Sequence, residues 1–124
     1  MSISLSSFTL EEKARALKSL IQTVESFLSF AAQNHEDLTI FFTNLNEHHL
    51  RLTRDAAHAK RIVESRTQED MITRTLGLFT DAVLYYLNFV TMPETEEFMQ
   101  WVADMNEKVM RLEEACNEAK QVLA

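Results

Sequence analysis

The sequence predicts an all-α protein, an antiparallel up-down-up-down four-helix bundle, and three observations carry that expectation. The first is composition: 124 residues hold one Gly and one Pro, and sheets and long loops need those residues at their turns. The second is periodicity: apolar residues recur at alternating four- and three-residue steps in four separate stretches, the pattern of helices that bury a narrow seam against one another. The third is punctuation: short polar segments with capping residues separate the stretches, and short connections make successive helices antiparallel neighbours. A single domain spanning 1–124 is expected, and a chain of this size buries roughly two-thirds of its unfolded surface, enough for a core without disulfides.

Residues 1–8, in which Ile3, Leu5 and Phe8 stand among serines, read as an N-terminal arm that either lies in a groove or frays. Thr9 followed by Glu12 reads as a capping box. It opens a helix over about 10–32 with the seam Leu10, Ala14, Leu17, Ile21, Val24, Leu28 and Ala31, widened by Leu20 and Phe27. Such width indicates contact with more than one neighbour. Asn34 offers an acceptor for the next helix, with Asp37 in its first turn. That second helix, about 36–66, carries Leu38, Phe42, Leu45, His49, Leu52, Ala56, Ala59 and Val63. Because Ala31, His35 and Leu38 keep the same phase, an alternative is one continuous helix from Leu10 to Arg66, a rod of roughly 85 Å suited to a long-helix dimer.

The phase shifts after Val63, and Thr67 with Asp70 offers a cap. A third helix over about 69–91 follows, with Ile72, Leu76, Phe79, Val83, Tyr86 and Val90 on its seam. Leu78, Ala82, Leu84, Leu87 and Phe89 lie off that seam, so this helix is either central or covered by another subunit. Gly77 weakens the helix by about 1 kcal/mol relative to Ala, and a close helix approach or local bend would account for it. Pro93 and the acidic residues after it start a fourth helix over about 93–123, seamed by Phe98, Val102, Met105, Val109, Leu112, Cys116, Ala119 and Leu123.

Net charge is −7, and residues 93–124 contribute most of it with eight acids against three bases. This balance opposes direct nucleic-acid binding, which needs excess Lys and Arg. The lone Cys116 excludes an internal disulfide framework and falls on an apolar seam, as a small buried hydrophobe does. The opening residues lack the basic start and apolar run of a signal peptide. The most apolar stretch, Leu76 to Met92, contains Asp81 and Asn88 and is marginal in length for a membrane span. A cytoplasmic protein without membrane contact is expected.

Candidate site residues are few. His48, Arg51, Arg54, His58 and Arg61 follow steps of three, three, four and three, which places them along one outward face of the second helix as a docking stripe. His49 falls on the seam, where a single polar residue sets register or partner choice. Leu78, Tyr85 and Phe89 on the third helix, and the Leu20/Phe27 edge of the first, are candidate apolar contacts. Arg51 and His58 also have the Arg-x6-His spacing that resembles small all-helical ribonucleases of the HEPN class. The resemblance implies acid–base work for His58 and phosphate stabilisation by Arg51. A metal- or haem-binding bundle is a third reading. Carboxylate-bridged sites in bundles use Glu-x-x-His on two helices, a motif this chain lacks; Asp55-x-x-His58 is the nearest approach. The sequence contains no Gly-rich phosphate loop, no Cys-x-x-Cys and no Gly-x-Ser-x-Gly. The reading it favours is a non-enzymatic protein-interaction module of adaptor, chaperone, immunity or inhibitor type, without cofactor or metal. It would dock a protein partner through helix faces, with homodimerisation expected from the apolar surplus of the third helix.

Overall fold

A computed structural model describes residues 9–33, 37–64, 71–89 and 98–123. These form four helices, α1 (Leu10–Ala31), α2 (Leu38–Glu64), α3 (Met71–Phe89) and α4 (Phe98–Leu123), with no strand among the described residues. Each helix packs on its neighbours in the sequence, α4 closes back on α1, and α1 also meets α3 across the bundle. The backbones of α2 and α4 do not approach one another. They occupy the far corners, and the rings of Phe42 and Trp101 span the gap at one end, 5.6 Å between centroids. Facing pairs run in opposite directions along successive helices: Phe27 with His49, then Thr23 with Asp55; His49 with Tyr86, then Val63 with Gly77; Tyr85 with Lys108, then Leu78 with Ala115. The arrangement is the predicted antiparallel four-helix bundle.

Local chemistry sets the helix ends. The Glu12 amide donates to Thr9 Oγ1 at 3.0 Å, and the Thr9 amide donates to Glu12 Oε1 at 3.1 Å, so both halves of the capping box form. Those bonds hold the Glu12 carboxyl below its ordinary range. α1 ends as the Ala32 amide donates to the Leu28 carbonyl and the Gln33 amide to that of Phe30. α2 begins with Asp37 Oδ1 accepting from the amides of Thr39 and Ile40 at 2.9 and 3.2 Å. Asp37 therefore takes the capping role expected of Asn34, which lies outside the described residues, as do His35, Thr67 and Pro93. Since α1 and α2 pack side by side, the continuous 10–66 rod is excluded.

Most core positions follow the predicted seams, with Ile62 of α2 buried one residue off its line. Leu45, Leu52, Ala56 and Ala59 of α2, Leu76, Phe79, Val83 and Tyr86 of α3, and Met105, Leu112, Cys116 and Ala119 of α4 are buried. α1 buries the widened stripe: Leu17, Leu20, Ile21, Val24 and Phe27 are all buried, and Leu28 and Ala31 pack against the core. Leu10, the first seam position, is instead 58% exposed. α1 touches three helices, so its buried face is wide and turns toward the α3 diagonal. The Leu20/Phe27 edge is thus core, not a docking surface.

Buried polar groups include Lys13 of α1 and Thr73 and Thr80 of α3, none of which the periodicity marks as core. The Cys116 thiol is buried, and burial with Glu25 nearby pushes its pKa to about 11, which keeps it protonated and unreactive at neutral pH. Lys120 Nζ reaches Glu25 Oε2 at 2.9 Å and ties α4 to α1. Gly77 needs no close approach: a Cβ built there would meet Val63 Cγ1 at 3.5 Å, an ordinary contact. Gly77→Ala is therefore expected to stabilise the fold by about 0.5–1 kcal/mol through backbone entropy. The check is a higher urea midpoint at unchanged slope.

Candidate functional site

The predicted docking stripe on α2 divides in space. His48 leaves the outward line: its ring stacks on Phe30 of α1, 4.6 Å between centroids at 30°, and it is half-buried. Desolvation, then the charge of Arg51, lowers the His48 pKa from its ordinary value. Arg51, Arg54, His58 and Arg61 remain exposed. Arg51 and His48 line a shallow groove with Ser19, Gln22, Thr23 and Ser26 of α1. His58 lines the next groove with Glu12, Arg15, Ala16, Ser19 and Ile62. The two grooves share Ser19, so Arg51 and His58 do not point into one cleft of this chain. Along a helix their seven-residue step is about 10 Å. Asp55, among the stripe residues in sequence, accepts a hydrogen bond from the Thr23 hydroxyl and so links α2 to α1. Glu64 lies 3.9 Å from Lys60, an exposed pair of the kind that contributes little.

His49 sits in the middle of the bundle. Its Nε2 and the Tyr86 hydroxyl are 2.7 Å apart, a hydrogen bond linking α2 to α3. Phe27 of α1 packs on both partners, at 5.8 Å from the imidazole and 5.1 Å from the phenol ring. Desolvation is the main cause that lowers the His49 pKa to about 4, with His48 adding to it. The same burial pushes the Tyr86 phenol above its ordinary range. Neutral imidazole is the stable form, and one of the two partners supplies the shared proton. A one-turn slip of either helix would leave both groups buried without this bond.

The face between α3 and α4 differs in character. Met71, Leu78 and Tyr85 are 66%, 67% and 42% exposed and stand seven residues apart along α3. With Thr75 and Ala82 they form a second line of four- and three-residue steps, one position before the core seam. Beside it, on α4, run Lys108, Arg111, Ala115, Glu118 and Val122. Two hollows open between these rows. One is floored by Phe79 and Ala119 and walled by Leu78, Ala115 and Val122. The other lies among Ala82, Tyr85, Tyr86, Lys108 and Leu112. Lys108 Nζ stands 5.9 Å above the Tyr85 ring. Of the apolar residues off the α3 seam, Leu84 and Leu87 pack against the core, while Ala82 lines the groove and Leu78 faces solvent. The Phe89 side chain lies outside the described residues. Other large exposed apolar residues, Ile40, Leu50 and Met110, belong to neither hollow.

Periodicity contained this second line, because 71, 75, 78, 82 and 85 repeat the steps of the core seam. What periodicity does not show is which of two adjacent lines the neighbouring helices cover. Among the described residues no three His, Cys, Asp or Glu side chains come together as a metal site. No described helix is long and apolar enough to cross a membrane. Compared with known protein families, characterised proteins and solved structures, the chain matches none.

Proposed function

We infer that this bundle is a non-enzymatic protein-interaction module whose docking face is the α3–α4 groove, acting in a reducing cytoplasm. One observation carries the reading: Met71, Leu78 and Tyr85 form an exposed apolar line at helical spacing, with hollows on its α4 side and charges along its rim. A helix laid in such a groove buries its own apolar face at seven-residue intervals. Leu78 and Tyr85 supply contact area, and Lys108, Arg111 and Glu118 orient the partner. The grooves along α2, with Arg51, Arg54, His58 and Arg61, are a secondary and more polar contact surface. Adaptor, chaperone, immunity and inhibitor roles all use this mode.

The test compares capture of partners by the chain with capture by Leu78→Asp and by the double variant Arg54→Glu/Arg61→Glu. Binding should fall by at least roughly 2 kcal/mol with Leu78→Asp, the size of a buried hot-spot contact, and change little with the α2 double variant. Helicity and urea midpoint should stay at the parent value, because Leu78 is 67% exposed. Binding that survives Leu78→Asp but vanishes with the α2 variant would move the docking face to α2.

A further inference from the structure

We propose that the occupant of the α3 docking line is α3 of a second copy of this chain, packed antiparallel about a two-fold axis at Leu78; this rests on the interaction-module reading above. The observation is symmetry in the spacing. Met71 and Tyr85 lie seven residues on either side of Leu78, and all three are exposed. A two-fold axis at Leu78 therefore sets Leu78 against its own copy. It also sets Met71 against the second copy's Tyr85, twice, over about 21 Å of helix. The small residues of the line, Thr75 and Ala82, fall between these contacts and admit the larger side chains.

Charge supports the same axis. Arg74 stands four residues before Leu78 and Asp81 three residues after it, and both are exposed. The two-fold brings each Arg74 within one residue of facing the second copy's Asp81, so two opposite-charge pairs flank the apolar contact. A parallel two-fold pairing would carry the second copy's Arg74 and Asp81 to the opposite flank of the contact, where neither pair forms. The charges beside the line are thus complementary to themselves only when the pairing is antiparallel. An isologous contact closes at two copies, so it limits assembly to a dimer.

The experiment is sedimentation velocity over a concentration series on the full chain and three variants. The parent chain should dimerise as concentration rises. Leu78→Asp and Asp81→Arg should each weaken the dimer at least roughly ten-fold in Kd, the latter because two attractive rim pairs become repulsive. Arg74→Asp/Asp81→Arg exchanges the signs and should restore the parent Kd to within about three-fold. All these positions are exposed, and circular dichroism checks that each variant is folded. A chain monomeric at every concentration, or an exchange variant no tighter than Asp81→Arg alone, overturns the proposal. A monomeric chain that still captures a foreign protein through Leu78 overturns the second copy while keeping the interaction module. Leu78→Asp without effect on either self-association or capture removes both.

Discussion

Phe27→Ala should lower the stability of the fold by about 3–5 kcal/mol, against a total of about 5–15 for a domain of this kind. Phe27 is 0% exposed and is among the largest fully buried side chains. Its ring meets His48 at 6.0 Å, His49 at 5.8 Å and Tyr86 at 5.1 Å, so one side chain of α1 supports groups from both α2 and α3. Removing it deletes the transfer energy of the ring and leaves a void where three helices converge. That site collapses poorly, because the imidazole and phenol beside it are held by their own hydrogen bond. A conservative change, Phe27→Leu, retains most of the volume and should cost about 1–1.5 kcal/mol. Leu50→Ala is the control: Leu50 is 70% exposed on α2, and its loss should fall within about 0.5 kcal/mol of zero. Urea denaturation of the three variants reads the order directly. A Phe27→Ala loss no larger than that of Leu50→Ala would mean that α1 presents another face to the core.

That contrast also shows where sequence reading runs out. Heptad steps identified most inward residues of all four helices, although Ile62 of α2 is buried off its seam and Leu10 of α1 is exposed on its own. For α1 the steps showed a wide stripe but not which edge of it stays open. Phe27 is core because it meets Tyr86 of α3 across the bundle, a contact between segments far apart in sequence. The capping box at Thr9 and Glu12 was legible because it is local. The α2 cap was half legible, since Asp37 was marked for the first turn but serves as the acceptor itself. His48 illustrates the opposite failure. Its spacing matches the exposed Arg51 and Arg54, yet Phe30 of the facing helix draws its ring inward. The α3–α4 groove was partly visible as surplus apolar residues. Leu84 and Leu87 turned inward and Leu78 did not, which follows from where α1, α2 and α4 leave α3 uncovered, a property of the assembled bundle.

Acidification from pH 7 to 5 should destabilise the bundle by about 1–2 kcal/mol, most of it through His49. The imidazole pKa falls from 6.5 to about 4 on folding, chiefly because burial disfavours the charged ring. A base with a depressed native pKa contributes stability that is fully present above the unfolded value. That stability is lost as pH falls from about 6.5 toward 4, because only the unfolded chain takes up the proton in that window. The full shift at about 1.4 kcal/mol per pH unit sets an upper bound of about 3 kcal/mol. Partial exposure of the ring reduces this, and stopping at pH 5 leaves part of the window untraversed. His48, also shifted downward by burial and by Arg51, adds in the same direction. The depressed Glu12 carboxyl loses its contribution only below the ordinary glutamate range. His49→Gln can keep a hydrogen bond to the Tyr86 hydroxyl without a titrating group. It should flatten the pH dependence between 7 and 5, leaving the smaller slope of His48. Urea midpoints at the two pH values for the parent and His49→Gln, with the imidazole titration followed by NMR, test the assignment. An unchanged slope in His49→Gln would place the acid sensitivity elsewhere. A flattened one identifies the α2–α3 hydrogen bond as the point where protons and the packing of three helices are coupled.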